Sequence, residues 1–220
     1  MATDRLKIYN GALLICGARS IASLTVNEEG RRLLDQVWDD DGVRNCLQAG
    51  QWKFAMRSSK FSYDTGITTA FGYRRAFVKP SDWIATSAVC SDERFNQPLL
   101  QYGDEAGTWY ADLDDIYIKY VSDDAYFGGD LSLWPANFTQ YVKTYFASRI
   151  VFKLTTDKVM VDKITARRGL LDMALKTAKN SDAMADPTKF FPEGGWTKSR
   201  RGGNGNNGWN DGGSRGGLIG

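Results

Sequence analysis

The run Leu33-Leu34-Asp35-Gln36-Val37-Trp38 and the run Gly50-Gln51-Trp52-Lys53-Phe54-Ala55-Met56-Arg57 differ in hydrophobic period, and the fold class turns on that difference. Up to residue 47, the apolar positions Leu33, Leu34, Val37, Trp38 and Leu47 sit among Glu28, Glu29, Arg31, Arg32, Asp35 and Asp39. That is the pattern of a helix with one stripe facing a core and the rest facing water. After Gly50, Trp52, Phe54 and Met56 alternate with Lys53, Ala55 and Arg57, the period of a strand. A helical segment therefore gives way to a β segment near residue 51.

Working outward, Thr25 stands three residues before Glu28, a capping-box spacing that predicts a helix from near Val26 to Gly50. Leu6, Tyr9, Leu13 and Cys16 recur at helical spacing and predict an earlier helix over about residues 4–18, with Gly17 as its stop. Downstream, Tyr73–Val78, Trp83–Val89 and Thr108–Ala111 are β-branched or aromatic runs. Lys79-Pro80-Ser81-Asp82 and Gly103-Asp104-Glu105 separate them with turn chemistry. Ile116, Ile118 and Tyr120 alternate again, as a strand.

The helical period returns after Gly128-Gly129. Ser132 is the expected cap, Pro135 falls in the first turn, and Phe138, Val142, Tyr145, Phe146 and Ile150 form the stripe. A turn at Thr155-Thr156-Asp157 leads to one further helix with Met160, Val161, Ile164, Leu171, Ala174, Leu175 and Ala178 inward, which predicts a helical hairpin. The chain reads as α+β: a helical bundle built from N- and C-terminal helices, with an inserted, mostly antiparallel β module. Residues 1–50 and 131–185 supply the bundle, residues 51–130 the module, and residues 186–220 a tail.

The tail differs in composition, holding eleven of the 23 glycines together with Asn204, Asn206 and Asn207. It lacks the apolar periodicity that would offset the entropy of ordering it, so the expectation is a segment disordered in isolation. Phe190, Phe191, Pro192, Trp196 and Trp209, with the basic Lys198, Arg200 and Arg201, suggest anchors that fold onto a partner.

Composition narrows the chemistry. There is no histidine among 220 residues, which removes Ser-His-Asp and Cys-His nucleophile pairs and every imidazole zinc site. Cys16, Cys46 and Cys90 form neither a CxxC pair nor a disulfide framework and read as small buried hydrophobes. With 28 basic and 26 acidic side chains, the net charge of +2 gives no whole-molecule attraction to nucleic acid or membrane. No apolar run is long enough to span a bilayer, and the start lacks the pattern of an export signal, so a cytosol-like site of synthesis is expected.

Several local patterns carry possible chemistry. Asp112, Asp114 and Asp115, or Asp123 and Asp124, offer paired carboxylates for acid and base work; the competing reading is acids at strand ends that face water. Asp39-Asp40-Asp41-Gly42 is a fragment of a calcium loop in which Val37 and Gln48 occupy the first and last ligand positions. Gly203 to Gly208 fits GxGxxG, but without a strand before it or a helix after it. Asn137-Phe138-Thr139 matches a glycosylation sequon whose phenylalanine is wanted in a core. Arg149, Arg167 and Arg168 border apolar stripes and read as ion-pair or interface residues. Arg201-Gly202-Gly203 and Arg215-Gly216-Gly217, flanking Trp209, open a second functional reading: a monomeric module that captures single-stranded nucleic acid with its RGG tail. No metal or cofactor site is expected.

One series spans nearly all of the first 201 residues. It begins with Tyr9-Asn10-Gly11-Ala12-Leu13, Gly17, Ile21-Ala22-Ser23-Leu24 and Trp52-Lys53-Phe54-Ala55. It continues through Lys79-Pro80-Ser81-Asp82-Trp83, Asp115 to Tyr120, Trp134-Pro135-x-x-Phe138, Ala147 and Ile150, then Ala178 to Ala183, and Trp196-x-x-x-Arg200. In order and spacing it resembles the tail tubular protein A family, the head-to-tail adaptors of short-tailed bacteriophages. The Gly/Asn extension after Arg201 departs from the family pattern.

The resemblance implies a structural virion protein of the phage neck and not an enzyme. Such a protein is made in the host cytoplasm and assembles with itself as a ring, usually a dodecamer. Its partners would be the portal protein above and a nozzle similar to tail tubular protein B below, with no membrane. Genomic DNA would pass through the central channel during ejection without sequence-specific binding, and a near-neutral body suits that passage. The tail anchors Phe190, Phe191, Trp196, Lys198, Arg200 and Arg201 are then expected in clefts of the portal.

Overall fold

Helix α1 (Arg5–Ile15) begins where the Asp4 carboxylate accepts the Leu6 amide and ends before Gly17, whose φ of +70° turns the chain away. These details come from a computed structural model, which describes residues 3–69 and 72–185. Helices α2 (Glu29–Asp39) and α3 (Gly42–Gln48) follow. The β module comprises β1 (Met56–Ser62), β2 (Arg75–Val78), β3 (Trp83–Cys90), β4 (Gly103–Glu105), β5 (Thr108–Ala111) and β6 (Asp115–Ser122). Helices α4 (Ala136–Leu154), α5 (Lys158–Thr165) and α6 (Leu170–Met184) complete the order.

The chain is α+β, with helices from the two ends packed together and antiparallel sheets inserted between them. Ile8, Tyr9, Ala12 and Leu13 of α1 share one core with Phe138, Val142, Phe146, Ile150 and Val151 of α4, and Ile164 of α5 and Ala178 of α6 belong to it. Helix α4 is buried on more than one side, Tyr141, Thr144 and Ala147 included, because it runs through the middle of the helical layer. Trp52, Phe54, Trp134, Phe138 and Tyr141 stack as an aromatic group, with Trp52 and Phe138 centroids 4.8 Å apart and Trp134 and Phe138 5.0 Å apart.

The strands form two three-stranded sheets, ordered β1-β6-β3 and β2-β5-β4, and every pairing is antiparallel. Ile116, Ile118 and Tyr120 of β6 meet Phe77, Trp109 and Ala111 of the other sheet in a second core. Ile84 and Val121 join the helical core instead, so β3 and β6 reach from one core to the other. Lys53 ties the start of the module to the end of the helical part: its amide donates to the Asp182 carboxylate at 3.0 Å and its ammonium to the Asp182 carbonyl at 2.5 Å.

Five local expectations are corrected. The capping box does not form: the Thr25 hydroxyl pairs with that of Ser23, Arg31 bonds the Val26 carbonyl, and α2 starts at Glu29. The long helix breaks at Asp40-Asp41, because Asp41 takes φ 58° and Gly42 closes against the Val37 carbonyl, 2.4 Å from where a Cβ would stand. Residues Lys53–Ala55 form a 3-10 turn, and Trp52 serves the helical core, its indole N–H donating to the Cys46 carbonyl at 3.1 Å. Ser132 is not a cap; Asp130 accepts its amide in a short 3-10 turn, and Pro135 precedes α4. The last helix is two, parted at residues 166–169, where Arg168 takes φ 67° and Gly169 sits against the Ala166, Lys163 and Ile164 carbonyls.

Candidate functional site

The carboxylates that offered acid-base chemistry are met by cations from neighbouring elements. Arg75 reaches Asp114 at 2.8 Å and Lys60 reaches Asp115 at 2.8 Å, with the Ser62 hydroxyl also donating to Asp115. The Arg74 amide donates to Asp112 at 2.9 Å, Arg44 pairs with Asp123, and Arg57 stands 4.0 Å from Asp124. These pairs cross between strands or between helix and strand, so each acid fastens two elements. The exposed ones contribute little to stability.

The most connected polar group of the module lies in the turn from β2 to β3. Asp82, with a side chain 13% exposed, accepts from Arg57 at 2.9 Å, the Ser122 hydroxyl at 2.5 Å and the Tyr120 hydroxyl at 3.2 Å. Burial works against its charged form, but the bonds from Ser122 and Arg57 outweigh it and hold the carboxyl below its ordinary value. Burial, with Asp82 beside it, pushes the Tyr120 phenol up to about 12. Next to it Arg44 donates to the Trp83 carbonyl at 2.8 Å while pairing with Asp123, whose own carboxyl burial pushes upward against the pull of Arg44. Through Arg44, α3 is bound to β3 and to the end of β6.

Lys79, from the same turn, was legible only as turn chemistry. Its side chain is 7% exposed, with the ammonium 3.7 Å from the Trp83 ring centroid and 5.4 Å from that of Trp109, and paired with Asp104. The Thr86 hydroxyl accepts both indole N–H groups at 3.1 Å and donates to Asp104 at 3.2 Å. The arrangement locks β3 to β4 and β5, and its cation is the chain's own. The signal for it was two tryptophans in separate strands beside a lysine in a turn, which composition alone does not join.

Other sequence patterns find plain settings. Asp39, Asp40 and Asp41 are exposed at the α2–α3 break, and among the described residues no group of three His, Cys, Asp or Glu is placed to hold a metal ion. Asn137 lies in the first turn of α4 with Phe138 and Thr139 buried after it. Cys16, Cys46 and Cys90 are all buried thiols, and burial pushes Cys16 up to about 11. Arg149, Arg167 and Arg168 are exposed. The predicted portal anchors Phe190, Phe191, Trp196, Lys198, Arg200 and Arg201 lie outside the described residues, as do the GxGxxG and RGG segments.

The helical surface keeps large apolar side chains in water: Leu14 is 77% exposed, Phe152 65%, Val159 75% and Met173 59%. A cavity of about 210 Å³ opens between α1, α4 and α6, lined by Ile15, Gln140, Thr144, Met173 and Thr177 among others. Residues 1–135 carry 14 basic and 19 acidic side chains, a net −5, whereas residues 136–185 carry nine and four, a net +5. These two stretches cancel, and the net +2 of the whole comes from residues 186–220, with five basic and three acidic side chains.

Compared with known proteins, the chain matches no family model, and no curated protein sequence matches it significantly.

Proposed function

We propose that this chain is a ring subunit of the neck of a short-tailed phage, a head-to-tail adaptor of the tail tubular protein A kind. It joins the portal to the tail nozzle, surrounds the path of the ejected genome, and acts by assembly and not by catalysis. The observation that carries this reading is where the residues of the resemblance fall. Asp82 of the Pro-x-Asp turn accepts the Tyr120 hydroxyl from the 115–120 segment. Trp52, from another segment, packs on Phe138 of the Trp134-Pro135-x-x-Phe138 segment, with ring centroids 4.8 Å apart. Segments far apart in sequence thus become neighbours in space, as the family reading requires.

Two further features support it. The helical part and the β module have separate cores, so one subunit presents two unlike surfaces, as a head-to-tail ring requires. Apolar side chains exposed on α1, α4, α5 and α6 are surfaces that assembly would cover.

The test is sedimentation of the purified chain with and without the portal ring of the same phage, followed by electron microscopy of the heavy fraction. A second ring stacked on the portal at stoichiometric ratio is the expected result. A folded chain that stays at the top of the gradient beside intact portal rings would overturn the reading.

A further inference from the structure

We propose that the end of α4, helix α5 and the turn after it form a surface that binds the phosphate backbone of duplex DNA. In the N-terminal helices and the β module, Arg5 and Arg31 share Asp35, Arg44 meets Asp123, Arg57 meets Asp82, Lys60 meets Asp115, and Lys79 meets Asp104. Arg19, Arg32, Arg94 and Lys119 make no ion pair among the described residues but are scattered along the sequence, whereas between residues 149 and 168 six such cations fall in one stretch. Arg149, Lys153, Lys158, Lys163, Arg167 and Arg168 are all exposed, and among the described residues none of them makes an ion pair.

The same stretch holds only two acids, Asp157 and Asp162, so six cations leave it at net +4. Asp157 is already engaged, its carboxylate accepting the Val159 amide at 2.9 Å to start α5. Helix α5 packs inward on α4 through Ile164, with Val151 of α4 in the same core, which leaves the cations on the outer side. A net charge of +4 within twenty residues, with Asp172 the nearest further acid through its bond to the Arg168 amide, raises the local potential and attracts a polyanion.

Among polyanions, the nucleic-acid backbone fits this spread. The eight residues of α5 extend about 12 Å at 1.5 Å per residue. Over that length a duplex presents about seven phosphates, enough to meet cations set on a helix end, a second helix and a turn at once. Phosphate contacts carry no sequence information, so affinity depends on salt and not on base order. The inference stands on charge placement and is independent of the adaptor reading.

The experiment is fluorescence anisotropy of the full-length protein with a labelled duplex of about 30 base pairs, from roughly 50 to 300 mM NaCl, where counterion release is readable. Three variants are compared with the parent: K153Q/K158Q/K163Q/R167Q, the charge-preserving K153R/K158R/K163R, and the tail variant R200Q/R201Q/R215Q. The expected parent slope of log K against log salt is about −4 to −5, and the glutamine variant should lose about 0.9 of slope per phosphate contact removed. Its affinity should fall at least about tenfold at low salt, while the arginine and tail variants stay within about twofold.

Absence of binding by the parent at the lowest salt would overturn the proposal. So would binding lost in the tail variant and kept in the helix variant, which would move the contact to the RGG segments. Salt-sensitive self-association of the parent without DNA binding would assign the surface, with exposed Phe152 and Val159, to a second copy instead. Circular dichroism matching the parent separates lost contacts from lost folding, and retained binding by the arginine variant does so again. Portal co-sedimentation is scored separately, so neither result decides the other.

Discussion

The Lys79 ammonium lies 3.7 Å from the centre of the Trp83 ring, and its side chain is only 7% exposed. A lysine buried to this degree is held by the ring face, by Asp104 and by little else, so its removal leaves a carboxylate and two indoles without their cation. Lys79→Met keeps most of the stem and should lower stability by about 2 kcal/mol, the scale of a desolvated cation–π contact. Urea denaturation reads this directly, and an unchanged midpoint would show that the cage is indifferent to the charge.

Asp82 makes folding sensitive to acid. Its carboxyl is depressed below the ordinary 3.8 by Ser122 and Arg57 in spite of burial, so the unfolded chain takes up its proton first as pH falls. The stability it contributes is present above that ordinary value and is lost as pH drops through the folded one. Asp123, raised chiefly by burial, acts with the opposite sign. Asp82→Asn should therefore be less stable than the parent at pH 7, by about 2 kcal/mol for bonds to a charged acceptor. The gap should close below pH 3.8. A gap that persisted in acid would mean that the charge of Asp82 is irrelevant.

The break between α2 and α3 sets two neighbours against each other. Asp41 has φ 58° without a capping bond from its side chain, so Asp41→Gly should relieve strain and stabilise by about 0.5 kcal/mol. A methyl on Gly42 would stand 2.4 Å from the Val37 carbonyl and 3.2 Å from the Phe146 ring, so Gly42→Ala should destabilise by about 1–3 kcal/mol. Thermal melts of the two variants should move in opposite directions; a shared direction would contradict the geometry of the break.

On the adaptor reading, replacement of Phe190, Phe191 and Trp196 by alanine should weaken co-sedimentation with portal rings while leaving circular dichroism and the melting point as in the parent. Undiminished portal binding by that variant would remove the tail from the contact.

Period was a sound guide to the inward stripes of α1, β6 and α4. Tyr9 and Leu13 on α1, Ile116, Ile118 and Tyr120 on β6, and Phe138, Val142 and Phe146 on α4 all lie in cores at the spacings that announced them. It failed at Asp41 and Arg168, since neither residue type announces a left-handed turn the way glycine does, and apolar spacing runs on through both breaks. It failed again at Trp52, where aromatic residues at every second position serve a 3-10 turn under the helices. The Lys79 cage was illegible for another reason: Thr86 and Asp104 come to it from strands of different sheets, and only the pairing of those sheets makes them neighbours.

Met56 and Val121 are direct partners in the ladder of β1 and β6, so the chain departs from the helices and rejoins them at adjoining points. What lies between, residues 57 to 120, meets the helices again at the start of β3, where Ile84 enters the helical core and Arg44 bonds the Trp83 carbonyl, and otherwise extends from that junction. The length, loops and chemistry of the hanging part can diverge freely so long as the two stems still meet. A lineage carrying such a subunit can therefore re-tailor what its outer lobe touches, by insertion, deletion or exchange, without re-evolving the helices that carry it.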